Sequence, residues 1–285
     1  MKKFLFATGL LAAFAFNPPA PKTFRDVAGV ELYSFRETLK TDVDKAVKMA
    51  KDLGLTEVEC FNAGGNVTAA KLRQALDKYG LKATGWSADF ATLQNPDKLR
   101  QAIADAKTLG APYVVTFWID HDKNKGFTVA DAAKAAEVFN QAGKTIRAAG
   151  LQFAYHVHGY EFQRYQNGTL FDYLYQNTDK QAVMFELDTF WSWWGGQDPV
   201  AFLRNYGSRT PLMHLKDCVK GVTGNKTGAA PVEYDVPLGT GQIPIAAVLR
   251  EAKKQGVRHY IIEDESANVP GSIGKSLAYL ETIPY

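Results

Sequence analysis

The sequence predicts an α/β fold, a single closed (β/α)8 barrel, and three observations predict it. Short apolar runs alternate with helical segments until eight strand-like runs have been counted. The strand-like runs are apolar enough for a parallel sheet covered on both faces. After the N-terminal segment roughly 260 residues remain, close to the size of an eight-unit α/β barrel.

The first strand is VELYSF (30–35). Residues 42–54 form a helix with Val43, Ala46, Val47 and Ala50 on one face and Gly54 as its stop. EVECF (57–61) is the second strand, 68–80 a helix, and LKATGWSA (81–88) the third strand. A helix opened by Pro96 (96–110) leads to PYVVTFW (112–118), and a longer one (129–150) to LQFAYHVH (151–158). A short helix (171–178) precedes AVMFELDTF (182–190), and 198–207 precedes PLMHLKDCV (211–219). The last units are a helix over 245–256, RHYIIEDE (258–265) and a helix near 272–280. Gly54, Gly80, Gly110, Gly150 and Gly256 each stand just before a strand, where glycine accepts the left-handed backbone that ends a helix. An open doubly wound sheet is the alternative, weakened because no glycine-rich fingerprint follows the first strand. Residues 220–244 form the one long loop, and such loops in compact domains tend to be functional.

The chain begins with Lys2 and Lys3 and an apolar run over 4–16, too short for a membrane span. Residues 1–20 read as a signal peptide, cleaved near Ala15 or Ala20, followed by a barrel over 24–285. The expected location is periplasmic or secreted. A formal net charge of +3 and no basic stripe argue against nucleic acid, and no second apolar segment argues for a membrane span. Cys60 and Cys218 fall on strands that are not neighbours, so no disulfide framework is expected.

In such a barrel the active site lies at the C-terminal ends of the strands. Those ends offer Glu59, Trp118, His156, His158, Glu161, Glu186, Asp188, His214, Lys216, Asp217, Glu263, Asp264 and Glu265. Several carboxylates converging with histidine repel one another unless a cation lies among them, since buried unpaired charge is costly. Carboxylate oxygens with imidazole suit a divalent metal ion, whether Mn, Mg, Co or Zn. The plainer reading is a salt-bridge network in which Glu186 pairs with Lys216, and His121 and His259 are structural.

At these residues the chain resembles the sugar phosphate isomerase/epimerase family of xylose-isomerase-like barrels. The carrying motifs are YHVHGYEF, FELDTFW with GGQDPV after it, HLKD, LGTGQI and IIED. The resemblance implies a metal held by Glu161, Asp188, His214 and Glu263. Family epimerases carry a Glu within strand five, where this chain has His156. Glu161 lies on the other alternation phase and reaches the metal if the chain turns after His158, as Gly159 permits. His158 is the alternative ligand.

The activity so implied is proton transfer next to a sugar carbonyl, with Glu161 and Glu263 as acid and base. His156 or His158 substitutes if Glu161 points away, and Lys216 holds a substrate oxygen. Glu59, His156, Glu186, Trp118 and Trp191 are expected to contact the sugar, with Trp193 and Trp194 as further stacking candidates. Export and the lack of a glycine-rich phosphate cradle point to an unphosphorylated sugar, keto-sugar or glycoside. A lyase or hydratase on 3-keto-glycosides is the close alternative. A non-catalytic carbohydrate-binding barrel would not need Asp188, His214 and Glu263 together. An endonuclease on abasic DNA would want more His and Asp ligands and a basic surface. A homo-oligomer or a partner subunit is left open.

Overall fold

A computed structural model describes residues 22–285. The signal-peptide reading of residues 1–20 lies outside the described residues.

Eight parallel strands close a barrel: β1 (Ala28–Glu31), β2 (Glu57–Cys60), β3 (Lys82–Ser87), β4 (Tyr113–Thr116), β5 (Gln152–His156), β6 (Val183–Asp188), β7 (Leu212–Leu215) and β8 (His259–Ile262). Each strand pairs with its sequence neighbours, and β1 with β8 closes the ring. The helices outside it are α1 (Val43–Asp52), α2 (Ala69–Tyr79), α3 (Pro96–Leu109), α4 (Val129–Ala148), α5 (Leu170–Asn177), α6 (Pro199–Tyr206), α7 (Ile245–Gln255) and α8 (Val269–Glu281). The five glycines expected at helix ends all have positive φ, between 68° and 85°. Among the described residues no helix is long and apolar enough to cross a membrane. Cys60 and Cys218 are buried free thiols.

All eight strands end earlier than the predicted runs, and in three the local reason is plain. The Glu31 carboxylate accepts from Tyr33 N–H at 3.1 Å, so Leu32–Phe35 coils into a 3-10 turn. Asp188 caps a helix over Thr189–Trp194 by accepting from Trp191 N–H at 2.7 Å. Asp217 accepts from the N–H groups of Cys218, Gly239, Gly241 and Ile243, folding the long loop back over the barrel. That loop adds a two-residue strand, Asp235–Val236, antiparallel to Asp217–Cys218.

The core has two parts. The larger lies between strands and helices, where outward side chains such as Phe153 and Tyr155 meet Phe139 of α4. The smaller plugs the barrel interior with Tyr113, Val115, Ala154 and Leu212, flanked by Phe117 and Met184. Side chains two residues further along those strands stand above this plug.

Candidate active site and metal centre

Above the apolar plug the interior turns polar. Two-residue alternation carries Ala154 of the plug to His156, and Leu212 to His214. It sets Glu186 and Asp188 on the same inward face of β6. Register places His156 beside Glu186 and Asp188 beside His214. Glu59 stands where the β2–β3 register shifts. Gly85 makes room for it, because a Cβ there would lie 2.7 Å from Glu59 Oε1. All these polar side chains are buried.

Hydrogen bonds fix which nitrogens are free. His156 Nδ1 lies 3.0 Å from Glu186 Oε2, and with Glu186 as the acceptor the ring carries its proton on Nδ1. Its Nε2 then presents a lone pair to Asp188 Oδ2, 3.9 Å away, an oxygen with no hydrogen-bond partner. Likewise His214 Nε2 faces Glu59 Oε2 at 3.2 Å and Nδ1 faces Glu263 Oε2 at 3.0 Å. In a neutral ring with Nε2–H donated to Glu59, Nδ1 and Glu263 would be two acceptors in contact. Two acceptors held together in a buried site require a proton or a cation between them. His156, Asp188, His214 and Glu263 bring one ligand atom each within 4.8 Å of one another. Two imidazole nitrogens with two carboxylate oxygens are a donor set that fits a divalent transition metal. Glu31, Glu59 and His214 form a second such group, but there the His214 nitrogen is already committed to Glu59.

The charges around these groups are strongly coupled. Burial and the neighbouring Glu59 push Glu31 and Glu186 well above the ordinary carboxylate range. Burial pushes Asp188 up to about 7 and His158 down to about 3. Burial opposes charge on His214, but Glu186, Glu263 and Glu59 outweigh it and hold the imidazole protonated well above its usual value. Burial likewise opposes charge on Lys216, and is outweighed by Glu263, Asp235 and Glu265. Lys216 is therefore an ammonium ion at neutral pH. It is hydrogen-bonded to Glu265 and lies 3.7 Å from Glu263 Oε1.

A cavity of about 330 Å³ opens over this centre, and His156, Lys216 and Glu263 line it. His158 forms part of its wall, stacked on Trp191 with ring centroids 4.3 Å apart. The Nδ1 of His158 is buried without a partner. Four carboxylates and one lysine are among the lining residues.

Several sequence-based assignments need correction. Glu161 does not reach the metal-ligand group. Gly159 does turn the chain, with φ of 91°, but the turn packs against the Thr189–Trp194 helix and swings Glu161 to the outer side of β5. There Glu161 Oε1 accepts from Tyr155 Oη at 2.7 Å and from His158 N–H at 2.8 Å. His156 takes the strand-five position in the group, and His158 stays in the wall. Glu59 and Glu186 are not among the residues lining the cavity; they back the two histidines. Glu186 pairs with His156, not with Lys216. Trp191 lines the cavity, whereas Trp118 lines a neighbouring one and Trp194 ties down the long loop through Nε1–H to Ala229 O at 3.0 Å. Trp193 is half-buried against the core. His121 and His259 make local contacts, to Ile119 O and to Glu57.

Sequence reading passes over Glu31, Tyr33, Phe61, Phe117 and Asp235, all of which line the cavity. A carboxylate inside the apolar run VELYSF is a usable signal for Glu31. Asp235 gives none, because only the folding of the long loop brings it near Lys216, at 4.0 Å.

Comparison with known proteins agrees with this architecture. A solved sugar phosphate isomerase/epimerase from Parabacteroides distasonis ATCC 8503 superposes with a TM-score of 0.73 at 22% identity, covering 95% of this chain and 97% of that one. D-allulose 3-epimerase from Methylomonas sp. gives 0.66 at 13% identity, covering 92% and 98%. Inosose dehydratase 2 of Bacillus cereus is 27% identical over 162 residues, 51% of this chain and 54% of that protein, so the match spans about half the length of the curated relative. A family model described as xylose isomerase-like TIM barrel matches residues 47–283, most of the chain, and the protein belongs to that family.

Proposed function

We propose that the protein is a divalent-metal-dependent enzyme that moves a proton at a carbon beside a sugar carbonyl, as an isomerase or epimerase. The observation that carries this reading is the convergence of His156, Asp188, His214 and Glu263 beneath a cavity that His156, Glu263 and Lys216 line. His156, Asp188, His214 and Glu263 would hold such a cation, which would offset the carboxylate charge and supply Lewis-acid chemistry at a carbonyl oxygen.

The chain's own groups divide the remaining work. Glu186 and Glu59 hold the two imidazoles in one tautomer each by accepting from the nitrogen that faces away from the centre. Lys216, fixed as an ammonium by Glu265 and Glu263, stabilises negative charge developing on a substrate oxygen. His158 stands in the wall, stacked on Trp191, and is the candidate to take or return a proton at carbon. Tyr33, Phe61 and Trp191 offer apolar surface to the C–H face of a sugar ring. Four carboxylates against one lysine make the cavity a poor host for a phosphate dianion, which supports an unphosphorylated substrate. The reading of residues 1–20 as an export signal agrees with that choice.

A second reading is a dehydratase or lyase, favoured by the similarity to inosose dehydratase 2. It begins with the same proton abstraction and then expels a β-leaving group.

The test is metal analysis of the mature protein beside His214→Ala and Glu263→Ala, followed by NMR detection of solvent deuterium entering keto-sugars. Near-stoichiometric metal, lost in both variants, with exchange at carbon is the expected result. Failure of the wild type to take up manganese, cobalt, zinc or magnesium would sink the reading and leave a carbohydrate-binding barrel.

A further inference from the structure

Lys216 is held in place by groups from distant parts of the chain. Its Nζ is hydrogen-bonded to Glu265 and lies 3.7 Å from Glu263 Oε1 and 4.0 Å from Asp235 Oδ2. The ring centroids of Phe190 and Trp191 are each 5.6 Å from it. Glu265 is the nearest of these partners and the most open, its side chain 21% exposed. It stands past the end of β8, beyond the ladder that joins β8 to β7. Side chains fix its backbone instead. Glu265 N–H donates to Asp235 Oδ2 at 2.7 Å, and Glu265 C=O accepts from Arg36 Nη2 at 3.4 Å.

We propose that Asp235 is a positioning residue for the reaction: by holding the Glu265 backbone it fixes the carboxylate that sets Lys216 Nζ at the cavity wall. The inference rests on the proposed function, in which Lys216 meets a substrate oxygen. A lysine side chain is long and flexible, so its head group stays in one place only where partners hold it. A displacement of about 1 Å at such a group can cost about 100-fold in rate.

Asp235 is itself well placed to act as a fixed point. It is buried and bridges antiparallel to Cys218, and Val219 N–H donates to the preceding carbonyl, Tyr234 O, at 2.9 Å. The long loop has other fastenings as well. Asp217 accepts from the N–H groups of Gly239, Gly241 and Ile243, and Trp194 Nε1–H donates to Ala229 O. Removing the Asp235 carboxylate therefore frees Glu265 and leaves the loop attached. The loop thus supplies a group that acts on Lys216 as well as the wall formed by Gly228–Val232.

The test compares the manganese-loaded wild type with Asp235→Ala and Asp235→Asn. Asparagine keeps an oxygen that accepts from Glu265 N–H, and alanine keeps none. Pulse acetylation read by mass spectrometry reports the release of Lys216 without any assay of activity. Labelling about tenfold faster is expected in Asp235→Ala, and labelling near the wild-type rate in Asp235→Asn. The second readout is solvent deuterium entering a keto-sugar. There kcat should fall about tenfold or more in Asp235→Ala, with KM and manganese affinity unchanged, and Asp235→Asn should recover most of it. Unchanged labelling or unchanged kcat in Asp235→Ala overturns the proposal, and so does an equal loss of kcat in both variants. Faster labelling that comes with faster proteolytic cleavage within 220–244 also overturns it, because Asp235 would then be a fastener of the loop. A wild type that turns over no keto-sugar sinks the proposed function separately, and the acetylation rates still decide whether Asp235 holds Lys216.

Discussion

His156 and Glu186 form a buried pair on adjacent strands, Nδ1 to Oε2 at 3.0 Å, in direct register between β5 and β6. The pair decides which imidazole nitrogen is free, and the free one points at Asp188. Glu59 does the same for His214 from the opposite side. Both histidines are thus held by a carboxylate behind them, an arrangement that raises ligand basicity and fixes ring orientation.

Glu186→Ala should therefore weaken manganese binding by roughly 10–100-fold without removing any ligand. Chelator-competition titration reads the change, with circular dichroism as the check on folding. Glu186→Gln, which keeps an oxygen acceptor for Nδ1–H, should lose less. Unchanged affinity in Glu186→Ala would mean that the pair does not orient a ligand.

The strand-five ligand separates two candidates, His156 and Glu161. His156→Ala should lower manganese occupancy about tenfold or more. Glu161→Gln should leave it unchanged, because Glu161 faces Tyr155 Oη and His158 N–H on the other side of the strand. Elemental analysis of both variants decides it; loss of metal in Glu161→Gln alone would restore Glu161 as the ligand.

The barrel and most of the centre are legible in the sequence because a polar residue ending an apolar strand is rarely there for packing alone. Asp188, His214 and Glu263 stand out for that reason, and all three converge with His156. Glu161 escapes such reading because alternation holds only while the strand lasts. Past Gly159 the direction of a side chain depends on how the turn packs against Thr189–Trp194, a tertiary contact. The start of TFWSWW passes for strand because a short apolar segment has no period of its own, and the Asp188 cap settles it as helix. Glu59 and Glu186 are recognisable as site residues, but their place behind the histidines follows from register, which one sequence does not disclose.

Glu161 also makes a pH prediction. Burial pushes its carboxyl from the ordinary 4.5 up to about 7, against the hydrogen bonds that favour the anion. Between those values the folded protein binds a proton that the unfolded chain has released. This stabilisation is complete below about 4.5 and declines as pH rises through 7, by an amount on the order of 3 kcal/mol. Glu161→Gln cannot release a proton, so it should lose less stability than the wild type between pH 4.5 and 7.5. Thermal melts across that range measure the difference, and parallel curves for the two proteins would contradict it.

Asp217 is the anchor of the long loop. Its two oxygens accept from Cys218 N–H at 2.8 Å, Gly239 N–H at 3.0 Å, Gly241 N–H at 2.9 Å and Ile243 N–H at 3.1 Å. The same loop carries Gly228–Val232 and Asp235 to the cavity, so one carboxylate on β7's extension shapes a wall of the site. Asp217→Ala leaves these donors without an acceptor, and each buried unsatisfied group costs about 1–3 kcal/mol. Some will find water, so a loss of about 3 kcal/mol is expected, together with faster proteolytic cleavage within 220–244. Asp217→Asn keeps one acceptor oxygen and should recover part of the loss. Chemical denaturation and timed proteolysis of the three proteins give the result; wild-type stability in Asp217→Ala would show that the loop is held by its other contacts, the Trp194–Ala229 bond among them.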